Sequence, residues 1–262
     1  MSAIITSIYN CPVKSISFQN IEKCKINKNI GIEGDRVFAF SQNLDLDQSK
    51  EFEKNPEARK GKWNKIVTLK NTPVFNKYNF SNEDNKLTLT LKDKEIISIN
   101  INNFDEREGL VKKLIELESS LKNDIRLMRN DEYPFYDTSI SNKSMFNNSI
   151  SLININSIRD FENKIDRKIE MSTFRGNLYF DGMEAWEERN WIGKTLKINN
   201  VLFKVEKNIP RCVAINLKPK TDDNSFNLLK ILKQTYDHYE MGVYLTPEND
   251  GEINLSEKIL IK

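Results

Sequence analysis

Apolar and polar residues alternate in short runs through the first hundred residues, which is typical of β-strands. Leu87-Thr88-Leu89-Thr90-Leu91 is the clearest run, because every second side chain would face a core while the others meet solvent. Closely spaced strands with short turns predict a barrel or a sandwich. Strands are predicted at residues 3–9, 21–26, 36–40, 63–69, 74–80, 86–91 and 95–99.

A helical period replaces this alternation at Asp105, with leucines at positions 110, 114, 117 and 121. A connector rich in Asp, Asn, Ser and Pro follows at residues 130–148. Beyond it we predict strands at 150–153, 177–180, 195–198, 201–205, 241–245 and 258–261, and helices at 157–165 and 226–232. The pattern predicts a mainly β protein with a few packed helices.

Composition limits the classes of partner. The 262 residues carry 40 Lys and Arg against 38 Asp and Glu, so the net charge is only +2. This balance argues against a nucleic-acid partner and predicts that any anionic ligand is small. No basic residue precedes Lys14 and no apolar stretch approaches the ~20 residues of a membrane span, so we expect neither a secretory signal nor a membrane segment.

The chain has three cysteines and one histidine, and each count argues against one class of site. Three cysteines are too few for a disulfide framework, and a reducing cytoplasm is the expected compartment. One histidine excludes a zinc site built from several. His238 is interpreted as a packing or surface residue. Cys11 and Cys24 are interpreted as small buried hydrophobic residues.

Two charged turns follow early strands. Lys14 and Ser15 offer a positive charge and a hydroxyl that suit one phosphate oxygen. Arg36 follows a glycine loop, and a guanidinium at the start of an apolar strand can hold an anion through two parallel hydrogen bonds. The alternatives are a surface lysine in an edge turn, and a solvated salt bridge between Asp35 and Arg36.

Two further clusters lie in the second half. Arg175, Gly176 and Asn177 combine a planar donor fork, close backbone approach and an amide, and the alternative is an Arg–Asn pair that satisfies the core. Arg211 precedes Cys212, whose thiolate would be a soft metal ligand with a pKa lowered by the neighbouring cation. For an isolated cysteine the alternative is a small buried side chain.

In this order the clusters resemble the MOSC family, the molybdenum cofactor sulfurase C-terminal domain proteins. The chain is similar to the branch with an N-terminal β-barrel domain, which includes bacterial N-hydroxylated-compound reductases and mitochondrial amidoxime-reducing components. The likeness implies an N-terminal domain at residues 1–120 and a MOSC β-barrel domain at 121–262. It rests on Pro12-Val13-Lys14-Ser15, Gly34-Asp35-Arg36, Phe174-Arg175-Gly176-Asn177-Leu178-Tyr179, Ala185-Trp186-Glu187-Glu188, Trp191-Ile192-Gly193-Lys194 and Arg211-Cys212.

The resemblance implies a role for each matching residue. Cys212 would be the protein thiolate on molybdenum and the catalytic residue. The molybdopterin cofactor and its phosphate would be held by Lys14, Ser15, Arg36, Ser157, Arg175, Asn177 and Arg211. Trp186 and Trp191 are interpreted as structural, and Glu187 and Glu188 as a solvated helix start. The family also carries an association with pyridoxal phosphate, at family level only.

The implied function is a molybdenum-dependent oxidoreductase that reduces N-hydroxylated small molecules. No Cys-rich ferredoxin-like tail follows residue 262, so electrons would come from a separate donor of ferredoxin or flavoprotein type. The alternatives are a sulfur carrier with a Cys212 persulfide, and a non-catalytic anion-binding barrel. Asn10 and Cys11 depart from the family, which usually has an aromatic residue before the proline. We expect the cationic turns and Cys212 to converge on one pocket.

Overall fold

The chain folds into two units in the computed structural model, which describes residues 3–16, 18–121, 124–136 and 148–262. The first unit combines residues 1–10, 20–33 and 148–262, and the second combines residues 11–19 and 34–147. The chain therefore leaves the first unit twice and returns to it. The domains at 1–120 and 121–262 stay a prediction, and the units named here are defined by packing.

Strands dominate the described residues, so the predicted mainly β class with a few helices is confirmed. No helix in these residues is long and apolar enough to cross a membrane. The helices are α1 (Leu46–Lys54), α2 (Phe104–Leu117), α3 (Ile155–Ile165) and α4 (Leu228–Tyr236). The strands are β1 (Ala3–Asn10), β2 (Gln19–Ile21), β3 (Lys23–Asn27), β4 (Gly31–Ile32), β5 (Phe38–Ser41), β6 (Tyr78–Glu83), β7 (Lys86–Leu91), β8 (Lys94–Asn100), β9 (Arg126–Arg129), β10 (Ile150–Asn154), β11 (Leu178–Asp181), β12 (Thr195–Ile198), β13 (Val201–Pro210), β14 (Glu240–Pro247), β15 (Gly251–Asn254) and β16 (Lys258–Ile261).

Seven strands of the first unit close into a barrel, in the order β11, β10, β14, β13, β12, β16 and β1. β1 pairs with both β16 and β11, and this double pairing closes the sheet. Closure removes the open edges that would otherwise pair with another chain. The strands are antiparallel except β10 and β11, which are parallel and joined through α3.

The barrel core follows from strict alternation along its strands. In β13, Val201, Phe203 and Val205 are buried, while the residues between them face outward. Trp191 is fully buried, and its ring lies 5.2 Å from that of Phe180. Burial of these large apolar side chains is the main source of stability in a barrel. It also confirms the structural role expected of Trp191.

The second unit contains the meander β6–β7–β8 and the pair β5–β9. Phe40 lies at its centre, with ring centroids 5.5 Å from Phe75 and 6.0 Å from Phe80. The predicted strand at 74–80 is wrong in its first half, which is a 3-10 helix over Pro73–Lys77. Proline at the first position has no N–H for a strand ladder and suits a helical start.

The strand predicted at 63–69 is also wrong. A 3-10 helix covers Trp63–Lys65, and only Ile66 forms an isolated bridge, to Ser41. The Asn71 side chain accepts a hydrogen bond from the Thr68 N–H at 2.7 Å and donates one to the Ile66 carbonyl at 2.9 Å. Such local bonds compete with strand pairing, which explains why the apolar run does not extend a sheet.

Gly242 of β14 gives a test of barrel packing. Its φ is +78°, and an added Cβ would lie 2.5 Å from the Leu152 carbonyl oxygen. We predict that Gly242→Ala lowers the free energy of unfolding by about 1–2 kcal/mol for the left-handed backbone and by about 1–3 kcal/mol more for the clash. Urea unfolding measures the loss.

Gly193→Ala is the matched control, because Gly193 has a φ of +81° with no atom within 4 Å of the added Cβ. Gly193→Ala should lower the free energy of unfolding only by the cost of the left-handed backbone. Equal losses in the two variants would contradict a steric role for Gly242.

Candidate functional site

Cys212 lies at the point where β13 ends. It is exposed, forms no disulfide among the described residues, and precedes a 3-10 turn over Val213–Asn216. The pairing of β13 with β14 shifts register twice before this point, between Val205 and Lys207 and between Asn208 and Pro210. Bulges of this kind redirect a strand and are frequent beside active sites. The strand end therefore presents one thiol to solvent on a rigid scaffold.

The side chain of Arg211 points to backbone carbonyls. Its Nη1 donates to the Phe174 carbonyl at 2.6 Å, Nε donates to the Met241 carbonyl at 3.0 Å, and Nη2 also donates to that oxygen. Burial lowers the pKa of this guanidinium. Arg211 thus connects the loop before β11 and strand β14 to the backbone next to Cys212. Its predicted contact with a cofactor stays a prediction.

Arg175 lies in the loop that Arg211 holds. It ends the 3-10 helix Met171–Phe174 in the left-handed region, with φ of 53°. The next N–H, of Gly176, donates to the Tyr179 hydroxyl at 2.9 Å, and this hydroxyl donates to the Met171 carbonyl at 2.9 Å. Sequence reasoning gave Tyr179 no role. The feature of the sequence that could have indicated a role for Tyr179 is its hydroxyl group beside the apolar residues of β11.

Asn177 is fully buried and fastens three barrel strands together. Its Oδ1 accepts from the Ser151 hydroxyl at 2.8 Å, and its backbone N–H donates back to that hydroxyl at 2.8 Å. Its Nδ2 donates to the Tyr9 carbonyl at 3.3 Å. These bonds satisfy polar groups that would be costly to bury alone. The amide half of the alternative, an Arg–Asn pair that satisfies the core, therefore has direct support, and the predicted cofactor contact of Asn177 stays a prediction.

Ser157 belongs to a second buried network. Its hydroxyl donates to Glu188, 2.8 Å from Oε1, and accepts from the Trp186 N–H at 2.8 Å. Asn154 also donates to Glu188, at 3.1 Å. Glu188 is 0% exposed, so the interpretation of this residue as part of a solvated helix start is wrong. Hydrogen bonds from α3 and β10 make its burial tolerable.

Trp186 lies beside this network with a φ of 67°, which is unusual for a bulky residue. Its indole N–H donates to Asp160 at 2.7 Å, and Tyr236 donates to the same carboxylate oxygen at 2.7 Å. His238 packs edge-on to Trp186 and parallel to Tyr236, with both centroid distances 5.7 Å. The structural roles expected of Trp186 and His238 are confirmed.

The second unit brings Lys14, Ser15 and Arg36 into neighbouring turns. The Lys14 N–H donates to the Phe38 carbonyl at 2.8 Å, and the Arg36 N–H donates to the Cys11 carbonyl at 2.6 Å. Ser15 and Arg36 are left-handed, with φ of 65° and 56°. Lys14 is 2% exposed, so it is no surface lysine.

The Arg36 guanidinium pairs with Asp35, whose carboxylate also accepts the Cys11 N–H at 2.7 Å. Asp35 is buried, so this pair differs from the solvated salt bridge considered above. The Arg36 guanidinium also lies 5.4 Å from the ring centre of Tyr136, a cation–π contact. Burial and the nearby Asp35 carboxylate raise the pKa of Tyr136. A cation is thus fixed on this turn.

The predicted site residues fall into two sets. Lys14, Ser15 and Arg36 belong to the second unit, and Ser157, Arg175, Asn177, Arg211 and Cys212 belong to the first. Their convergence on one pocket stays a prediction. Within the described residues, no cluster of three or more His, Cys, Asp or Glu could hold a metal ion by itself.

Comparison with known proteins finds a match in the second half of the chain. The model of the MOSC domain matches residues 137–259. The chain is therefore similar to the MOSC domain over 123 of its 262 residues. Mitochondrial amidoxime reducing component 2 of Rattus norvegicus is 36% identical over 72 residues, which is 28% of this chain and 21% of that protein. The Bos taurus protein of the same name is 25% identical over 109 residues, or 42% of this chain and 31% of that protein.

The chain therefore spans about a fifth to a third of the length of these curated relatives. Among solved structures, the YuaD protein of Bacillus subtilis is similar over 100% of this chain and 96% of that chain, with 10% sequence identity and a TM-score of 0.44.

Arg211 of the MOSC domain is predicted to hold the site loop. Arg211→Lys should lower the free energy of unfolding by about 1–3 kcal/mol, because an ammonium cannot reproduce the planar fork to two carbonyls. Urea unfolding measures this. Arg159→Lys is the control, since Arg159 is 53% exposed and pairs with Asp181 at the surface. Unchanged stability of Arg211→Lys would contradict the role proposed for the fork.

Glu188 predicts a pH dependence of MOSC domain stability. Burial raises the pKa of Glu188, so the folded state binds this proton more tightly than the unfolded state. The stabilisation is fully present below the ordinary carboxyl pKa and is lost as pH rises through the raised value. Glu188→Gln should therefore gain stability relative to the unmodified protein as the pH rises above the ordinary carboxyl pKa.

Thermal unfolding at several pH values measures this difference. The carboxyl pKa of Asp181 is lowered by hydrogen bonds and Arg159, so Asp181→Asn should show the opposite trend. A Glu188→Gln difference that does not vary with pH would show that Glu188 has an unshifted pKa.

Proposed function

We propose that this chain is a MOSC-family, molybdenum-cofactor-dependent reductase of N-hydroxylated small molecules. The family is associated with the molybdenum cofactor, and the relatives are named as amidoxime reducing components. The observation that carries the proposal is the exposed Cys212 thiol on a turn fixed by Arg211. A thiolate is the soft ligand that a thiophilic redox metal prefers.

Some of the predicted site residues have side chains suited to bind such a cofactor. In the first unit, Cys212 supplies the soft ligand, and Arg175 supplies a guanidinium suited to a phosphate. In the second unit, Lys14, Ser15 and Arg36 offer cationic and hydroxyl donors, and we propose them as cofactor ligands from the family resemblance. The side chains of Ser157, Asn177 and Arg211 are already bonded within the protein. For these three we propose that they position the loops around the cofactor.

When bound, the cofactor would supply two-electron redox chemistry at a metal. Reduction of an N–OH group to N–H consumes two electrons and two protons and releases one water. The chain supplies no second redox centre in the described residues, so we propose that a separate donor protein of ferredoxin or flavoprotein type delivers the electrons. The chain would hold the metal through Cys212, which is exposed at the end of β13.

Metal analysis tests the proposal. Protein purified from a host that makes the cofactor should contain about one molybdenum and one pterin per chain. Cys212→Ser should lose reduction of benzamidoxime by a chemical electron donor. Its unfolding free energy should stay within about 0.5 kcal/mol, because Cys212 is exposed. Cys24→Ala, which changes a buried cysteine of the barrel core, should keep metal and activity.

Absence of both molybdenum and pterin would overturn the proposal. The second candidate is a sulfur carrier, which the exposed Cys212 thiol also suits. Mass spectrometry would then find a stable additional sulfur on Cys212 in metal-free protein.

A further inference from the structure

A cleft of about 380 Å³ opens in the first unit beside the Cys212 turn. One wall comes from residues 167–173, which lead to Arg175, and the other from residues 215–228, which follow Cys212. Its volume is in the range of small-molecule pockets. Two loops that carry predicted site residues therefore enclose a space large enough for a ligand with one aromatic ring.

The cleft has an apolar floor. Ile215 and Leu228 line it and belong to the buried core between α3 and α4. Phe226 also lines it, and the Arg167 guanidinium carbon lies 3.8 Å from the centre of this ring. An aromatic ring of a ligand would bury apolar surface against these residues, the main favourable contribution in such pockets.

The rim carries the cations Arg167, Lys168 and Lys218 against the carboxylates Glu170 and Asp223. The Glu170 carboxylate accepts the Ser172 hydroxyl at 2.5 Å, and the Asp223 carboxylate accepts the Ser225 N–H at 2.9 Å. Both carboxylates are thus bonded to donors of their own loops, and Asp223 also interacts electrostatically with Lys218 and Arg167. Arg167 and Lys218 are exposed at the same rim. A guanidinium whose carbon faces a ring still donates through its N–H edge, which suits a carboxylate.

The cleft is near the proposed reaction centre. Ile215 and Asn216 line it and belong to the 3-10 turn that begins after Cys212. At about 2 Å of rise per residue, Asn216 is about 8 Å along the turn from Cys212. This is close to the length of a benzene ring with substituents at both ends. The length of chain between the cleft and Cys212 is therefore comparable to the length of such a substrate.

We propose that this cleft binds the non-reacting end of the substrate, and that it selects aromatic compounds that carry a carboxylate. The ring lies on Ile215, Phe226 and Leu228, and the carboxylate pairs with Arg167. This inference rests on the proposed function for its catalytic part, whereas its binding part does not depend on any cofactor.

Titration of two amides followed by NMR tests the binding part. 4-Carboxybenzamide should bind the purified full chain about fivefold more tightly than benzamide, the range of a partly exposed ion pair. Arg167→Gln should remove this preference, and Arg167→Lys should keep most of it. Arg159→Gln is the matched control, because Arg159 of α3 is exposed but does not line the cleft.

Equal affinity for both amides, or an equal loss in Arg159→Gln, would overturn the cleft assignment. The catalytic part is tested with 4-carboxybenzamidoxime and benzamidoxime. Arg167→Gln should raise KM about fivefold for the carboxylated compound only, with kcat and molybdenum content unchanged. Carboxylate-dependent binding without this KM effect would overturn the substrate role. Absence of molybdenum from the purified protein would overturn the proposed function. The amide titration would still decide whether the cleft binds an aromatic carboxylate.

Discussion

The hydrogen bonds from the Arg211 guanidinium to two backbone carbonyls are the constraint on which the first-unit site depends. The Phe174 carbonyl belongs to the loop of Arg175, and the Met241 carbonyl belongs to β14. One planar side chain therefore fixes a loop, a strand and the residue before Cys212. A planar fork with few conformations is suited to this task. The exposed thiol therefore follows a residue whose guanidinium is held by two backbone carbonyls.

Several other motif residues also form hydrogen bonds that hold the fold together. Asn177 joins β1, β10 and β11 through Ser151 and Tyr9, at the place where the barrel closes. Ser157 satisfies the buried carboxylate of Glu188. A polar residue in a family motif thus need not touch a ligand. In Asn177 and Ser157 the side chain satisfies buried groups and holds neighbouring backbone in place, and its removal would leave those groups unpaired.

The sequence predicted the barrel strands well, because alternation is strong where one face is buried, as in β12 and the first half of β13. It failed where local polar bonds prevail over apolar content, as at residues 63–69. It missed α1, although Asp45 and Gln48 form a capping box that is readable as a motif. Burial of Glu188 was not predictable, because the donors that make it tolerable come from residues over 30 positions away.

The backbone of the cationic turns adds a physical observation to the roles proposed for their side chains. Of fourteen non-glycine residues with positive φ in the described residues, seven are Asn or Asp, which local hydrogen bonds favour in this region. The side chains of Ser15, Arg36 and Arg175 give no such advantage, yet each of these residues has a positive φ at a predicted site position. Glycine would remove about 1–2 kcal/mol of strain at each. Lys92, Trp186, Lys220 and Ser256 adopt the same region outside the predicted site, so the strain supports the proposed roles only together with the family motifs.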